Sequence, residues 1–256
     1  MIICADDYGM REDIDRAILE LCERGRLSAV SCMVLFERCD RSSMERLRKH
    51  EAKVDLGLHL TLTPENFALS APLQEGQLQQ FRKLLERAIF RRLKPAEVRP
   101  LLEAQYHLFV EKSGRSPDYI DGHLHAHQLP VIAETLVEFV RQLPPGKRPY
   151  VRNTRLSTTE LRRKKLPWLK AGIIGQFGAE LETQLKSAGL PTNSGFSGIY
   201  NFRYWRSYPE LLSKFASCLP DDNGILVTHP GFEENWRRSE WEAVKKADLP
   251  INRFHR

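Results

Sequence analysis

Short apolar runs alternate along this chain with longer amphipathic stretches. Runs of strand length fall at Ile2–Ala5, Ala29–Phe36, Val54–His59, Tyr119–Asp121, Pro149–Arg152, Gly198–Phe202 and Gly224–Thr228. Between them, apolar residues recur at helical spacing, as in Arg11–Glu23, where Ile14, Ile18, Leu19 and Leu21 gather on one side. The same pattern predicts helices over Ser42–Lys49, Leu78–Phe90, Ala96–Lys112, Val131–Arg141, Ala179–Ala188, Pro209–Ser217 and Ser239–Lys246. About seven strands alternating with helices predict an α/β fold, an irregular, TIM-barrel-like (β/α) barrel in preference to an open doubly wound sheet. The longest irregular stretches, Thr61–Gln77 and Asn153–Gly178, follow strands, where barrel sites are assembled.

Composition narrows this picture. With 256 residues, 41% hydrophobic and 28% charged, the chain can build a packed core, and its length suits a single barrel domain over residues 1–256. No apolar run approaches the roughly 18 residues of a spanning helix, so no membrane span is expected. The first residues lack a basic n-region, which argues against a secretory signal. Five cysteines without CxxC spacing read as reduced thiols of a cytoplasmic protein, not as a disulfide framework or thiolate zinc site. The net charge of +6 comes with short basic clusters at Arg91-Arg92-Leu93-Lys94, Arg162-Arg163-Lys164-Lys165 and Arg237-Arg238. Without interleaved aromatics, these read as solvated faces, and no nucleic-acid partner is expected.

The chemistry concentrates at strand ends. Adjacent carboxylates, Asp6 and Asp7, close the first strand; an extended backbone sends neighbours to opposite sides, so one can face a metal and the other the reacting group. His59 ends a strand in phase with Gly57 and Thr61. In Asp121-Gly122-His123-Leu124-His125-Ala126-His127, three imidazoles alternate, an arrangement that an extended segment would project to one side and that suits a divalent ion. Arg152 and His229 stand at two further strand ends. Five junctions bearing Asp, His, His, Arg and His read together as a mononuclear metallohydrolase, with one carboxylate and two imidazoles leaving room for water.

The segments Ala5-Asp6-Asp7-Tyr8-Gly9, Gly57-Leu58-His59-Leu60-Thr61-Leu62, Asp121–His127 with Leu129-Pro130, and His229-Pro230-Gly231 resemble the YdjC-like carbohydrate deacetylases. That family includes chitooligosaccharide deacetylases and is related to NodB-type polysaccharide deacetylases. The resemblance runs in order from residue 5 to residue 231. It implies a barrel hydrolase that removes acetyl from an N-acetylated sugar by cleaving a linear amide C–N bond. It also implies Asp7, His59 and His123 as metal ligands, Asp6 as general base, His229 as general acid and Arg152 as the group holding Asp6 ionised. His125, His127 and Asp121 would stand behind the ligands or face substrate. The implied cofactor is one divalent ion, magnesium or zinc first, with cobalt, nickel or manganese also suited. The implied partner is an N-acetylated carbohydrate, and a homodimer is left open. Cys4 and Tyr8 stand where the family usually has Asn and Phe, and the two long loops match no pattern.

Aromatic residues between Phe196 and Tyr208 offer a sugar-stacking wall, with Trp205 as the leading candidate. Two other readings compete: a TIM-barrel amidohydrolase or phosphoesterase, which often needs a second metal, and a metal-stabilised carbohydrate-binding protein without turnover.

Overall fold

The computed structural model describes residues 1–63, 80–156 and 168–255, excepting the side chains of 168–171. Seven strands, β1 (Ile2–Tyr8), β2 (Ala29–Cys32), β3 (Asp55–Leu60), β4 (Tyr119–Gly122), β5 (Tyr150–Val151), β6 (Gly195–Ser197) and β7 (Gly224–Thr228), pair in parallel in the order β5-β4-β3-β2-β1-β7-β6. A parallel bridge between Val151 and Thr192 ties the outermost strand to the segment that leads into β6, so the sheet curls into a barrel-like α/β fold. The expected fold class is observed.

Eight helices of the described residues flank the sheet: α1 (Glu12–Glu23), α2 (Arg41–Arg48), α3 (Phe81–Ile89), α4 (Pro95–Ser113), α5 (Ile132–Gln142), α6 (Trp168–Ser187), α7 (Tyr208–Ala216) and α8 (Asn235–Lys246). Their formation follows from amphipathic spacing. In α1, Ile14, Ala17, Ile18 and Leu21 are fully buried against the sheet, while Glu12 is exposed. In α4, Pro95 opens the first turn, the Glu97 carboxylate accepts the Lys94 backbone N–H at 3.0 Å, and left-handed Gly114 ends the helix.

Several boundaries differ from the sequence expectation, among them β1, which runs on to Tyr8 instead of ending at Ala5. The run Ala29–Phe36 stops being a strand at Cys32, because the Phe36 N–H folds back onto the Met33 carbonyl. The strand expected at Gly198–Phe202 lies earlier, at Gly195–Ser197; Gly198 then adopts φ +109° with its Cα packed on the Val227 carbonyl, where a Cβ would sit 2.4 Å from the oxygen. The helix expected at Ala179–Ala188 starts at Trp168, so Trp168–Gly178 of the loop expected at Asn153–Gly178 is helical. Glycines at 172, 175 and 178 weaken the helical signal, yet Gly178 is what lets α6 lie on the Thr154 backbone, at 2.5 Å from a notional Cβ. Finally, α8 begins one turn before the expected Ser239. Pro64–Gln77 of the first long loop, Leu78 and Gln79 of the expected third helix, and the Arg162–Lys165 cluster lie outside the described residues. No helix of the described residues is long and apolar enough to cross a membrane.

Candidate active site

Parallel strands deliver their carboxyl ends to one mouth of the barrel, and the polar residues gather there. The register of β1 on β2 shifts between Ala5 and Tyr8, and Asp7 takes a left-handed φ of 73°. This bulge alters the expected alternation: Asp6 and Asp7 both line the same cavity instead of facing opposite sides.

The two acids are held differently. Asp6 accepts from Arg152 Nη1 at 2.7 Å and Nη2 at 2.8 Å, so both its oxygens are engaged. Burial opposes the charge on Asp6, but the fully buried Arg152 guanidinium, helped by His59, outweighs it and holds the carboxyl well below the usual carboxylate range. Asp7 gives one oxygen, Oδ2, to Arg237 Nη2 at 2.7 Å. Its other oxygen, Oδ1, faces His123 Nδ1 at 3.1 Å and His59 Nε2 at 3.6 Å. Burial again works against the charge and the Arg237 guanidinium prevails, leaving Asp7 ionised.

His59 and Asp121 are direct partners in the β3–β4 register, and His59 Nδ1 lies 2.6 Å from Asp121 Oδ1. Asp121 Oδ2 accepts from Ser31 Oγ at 2.6 Å and lies 2.9 Å from Arg152 Nη1. The far nitrogen of His59 is thus tied down, leaving Nε2 to face Asp7. Asp7, His59 and His123 each offer one ligand atom within 4.8 Å of the others. One carboxylate and two imidazoles, with one imidazole backed by a second carboxylate, fit a divalent ion with open positions. Cys4, Asp6 and Asp121 also converge, but the Arg152 guanidinium already bonds both carboxylates, so a second ion would meet a cation.

His229 follows β7 directly. Its Nε2 lies 4.0 Å from Asp6 Oδ2 and its Nδ1 3.8 Å from Glu240 Oε2. Burial disfavours the charged ring, but Glu240, then Asp7 and Asp6, raise its pKa above the ordinary imidazole value.

The three histidines of 123–127 are not side by side. The segment His123–Gln128 is a 3₁₀ turn broken by left-handed backbone at Leu124 and His125, φ 54° and 57°, so the alternation expected of an extended segment is lost. His123 faces Asp7. His125 lines the cavity edge-on to Phe196 at 5.6 Å, kept neutral chiefly by burial and then by the Arg152 charge. His127 is fully buried, donates from Nε2 to the Arg152 carbonyl at 2.7 Å, and is pushed down to about 4 by burial.

The cavity measures about 620 Å³ and has largely apolar walls, including Leu85, Phe177, Ile199 and Phe202. Phe202 stacks on Trp236 at 4.1 Å, and both rings flank His229, at 5.7 and 6.1 Å. Trp205 is not among the lining residues; its carbonyl accepts from Ser239 Oγ at 2.7 Å. Trp236 escaped sequence reasoning, and so did two charged residues beside the centre. Arg237, read as part of a solvated basic pair, is buried against Asp7, and Glu240 is fully buried behind His229. The available signal was the stripe Arg237, Glu240, Ala243 and Val244, whose spacing puts two charges on the buried face of α8.

The fold and this mouth define an α/β-barrel protein with three donors that could hold a cation beside a carboxylate–imidazole pair. The family model of the YdjC-like proteins matches residues 1–250, and the chain belongs to that family. It is 28% identical over 252 residues to a mouse carbohydrate deacetylase, covering 91% of this chain and 78% of that protein. It is 31% identical over 144 residues to a Proteus mirabilis chitooligosaccharide deacetylase, a match spanning about half of each chain, 56% and 55%. A crystal structure from Enterococcus faecalis, of a proposed cellobiose-phosphate cleavage protein, superposes with a TM-score of 0.67 at 19% identity, covering 96% of this chain and 90% of that one, and shows the shared fold.

Proposed function

We propose that this protein is a divalent-metal-dependent carbohydrate deacetylase that hydrolyses the acetamide C–N bond of an N-acetylated sugar. The observation that carries the reading is the convergence on one cavity of the Asp7, His59 and His123 donors with the Asp6–His229 pair, 4.0 Å apart. The names of the mouse and Proteus mirabilis relatives support the substrate class.

Asp7, His59 and His123 would hold one ion, with zinc, cobalt, nickel, manganese or magnesium as candidates. When bound, such an ion supplies Lewis-acid polarisation of a carbonyl and eases deprotonation of water. Asp6, ionised and fixed by Arg152, takes the proton of the attacking water. His229, with a raised affinity for its proton, gives that proton to the departing amine nitrogen. The stacked Phe202 and Trp236 beside His229 would receive the sugar ring in place of Trp205. Acetate and a free amino sugar leave.

The filled Cys4–Asp6–Asp121 group argues against the two-metal amidohydrolase reading. Among the described residues, one core and one continuous sheet support residues 1–256 as one catalytic domain, and the buried thiols of Cys4, Cys22, Cys32 and Cys39 suit a reducing, cytoplasmic setting. The test is acetate release from a panel of N-acetylated oligosaccharides by zinc-loaded and chelator-treated protein. Release that needs the ion supports the reading; a zinc-loaded protein that frees no acetate from any of them overturns it.

A further inference from the structure

Helix α8 reaches both halves of the site with residues one turn apart. Arg237 bonds Asp7 Oδ2 at 2.7 Å, packs over the Trp236 ring at 4.4 Å and extends Nη1 to the His229 carbonyl at 3.4 Å. Glu240 is the acceptor for three donors: Oε2 takes the His229 backbone N–H at 2.6 Å and Thr228 Oγ1 at 2.8 Å, and Oε1 takes Tyr200 Oη at 2.8 Å. Its Oε2 then stands 3.8 Å from His229 Nδ1, a ring nitrogen that is buried and makes no hydrogen bond in this geometry.

Packing alone does not account for these two residues. A buried ion pair gains little over apolar side chains of the same volume, so charges on the inner stripe of a helix need another reason. Each charge here meets a group of the proposed chemistry. Asp7 is in left-handed backbone and offers only Oδ1 to the imidazoles because Arg237 holds Oδ2. His229 has the Glu240 carboxylate 3.8 Å from Nδ1 and turns Nε2 to the cavity 4.0 Å from Asp6, an arrangement that favours a proton on Nδ1 and leaves Nε2 to face the substrate.

We propose that Arg237 and Glu240 are the positioning residues of the two halves of the centre: Arg237 fixes Asp7 as a one-oxygen ligand, and Glu240 fixes His229 as the proton donor. The proposal rests on the deacetylase reading for the roles of Asp7 and His229. The charged and titratable groups around His229 are Asp6 and Asp7 from β1, His125 from the 3₁₀ turn, and Arg237 and Glu240 from α8.

The two roles separate experimentally in the full-length protein. Zinc binding is followed by calorimetry, and His229 is titrated by ¹⁵N-resolved NMR of the zinc-loaded protein, with assignment from His229→Gln. In Glu240→Gln, the His229 pKa should fall by at least one unit and kcat by about 10- to 100-fold, below the full worth of a general acid. KM and zinc affinity should stay within threefold. In Arg237→Met, zinc affinity should fall about 10- to 100-fold, as for other groups that orient a ligand, while the His229 titration moves by less than half a unit. Arg237→Lys should recover part of the zinc affinity and serves if Arg237→Met does not fold. If both substitutions weaken zinc and shift His229 alike, or neither moves its own readout, the assignment is wrong. Because neither readout needs turnover, a wild type that binds zinc yet deacetylates nothing would defeat the deacetylase reading and leave the positions of Arg237 and Glu240 to be judged on their own.

Discussion

Arg152 grips Asp6 by both carboxylate oxygens, at 2.7 and 2.8 Å, in a pair with no access to solvent at the arginine. The neighbouring Asp7 gives only Oδ2 to an arginine and turns Oδ1 to His123 and His59, and under the proposed reading this difference divides the labour between the two acids. Asp6→Asn should therefore bind zinc within threefold of wild type but lose at least about a hundredfold in kcat, the lower range for a lost general base. Calorimetry and acetate release measured on the same preparation check it. Wild-type turnover in the purified variant would remove Asp6 as the base.

Under the proposed reading Asp121 would act through His59. Its Oδ1 lies 2.6 Å from His59 Nδ1, and no oxygen of Asp121 points at the Asp7 side of the centre. Asp121→Asn should weaken divalent-ion binding about 10- to 100-fold. Turnover should return when zinc is raised above the new dissociation constant. Activity lost at saturating zinc would instead place Asp121 in the chemistry itself.

Stability should carry a signature of Asp15, a buried acid on α1 whose pKa burial raises to about 6 from 3.8, against the Gly9 N–H it accepts at 2.6 Å. A raised acid pKa favours the fold below the unfolded value and loses that advantage as pH climbs through the folded one. The window is therefore about pH 4 to 6. Asp15→Asn keeps an acceptor for Gly9 without the buried charge, so it should stabilise the protein at pH 7.5 by up to about 3 kcal/mol, at 1.36 kcal/mol per unit. Urea unfolding of both proteins from pH 4 to 7.5 measures the difference, which should vanish at pH 4. A constant difference across the range would show that Asp15 titrates normally.

Gly57 makes space beneath the centre. A Cβ at this position would lie 2.2 Å from the Tyr119 ring, whose hydroxyl lies 2.8 Å from Ser31 Oγ, the donor to Asp121. Gly57→Ala should cost about 1–3 kcal/mol, the range for overpacking. It should also weaken zinc binding by shifting the Tyr119–Ser31–Asp121 chain. A thermal melt and a zinc titration test both parts; an unchanged melting temperature would mean that Tyr119 has room to move.

Most of the site was legible because it is local. Asp6, Asp7, His59, Arg152 and His229 each close or follow an apolar run, and strand periodicity is enough to place them at one mouth. Three features were not legible. The bulge that turns Asp6 and Asp7 into one cavity depends on a single left-handed residue, Asp7, which carries no glycine to announce it. The turn at His123–His127 likewise hides two left-handed residues in a pattern that reads as extended. Arg237 and Glu240 look like ordinary surface charges until the inner stripe of α8 is known, since only tertiary packing decides which face of a short helix is buried.

The internal charge balance of the mouth bears on how the protein is made. Arg152 and Arg237 already neutralise Asp6 and Asp7, and His59 is tied to Asp121, all by groups of the chain itself. Zinc fingers and many small metallodomains stay unfolded until their ion arrives, because ion binding supplies their folding free energy. If the proposed ion binds at Asp7, His59 and His123, this internal pairing would let folding finish first, with the ion entering the completed barrel afterwards.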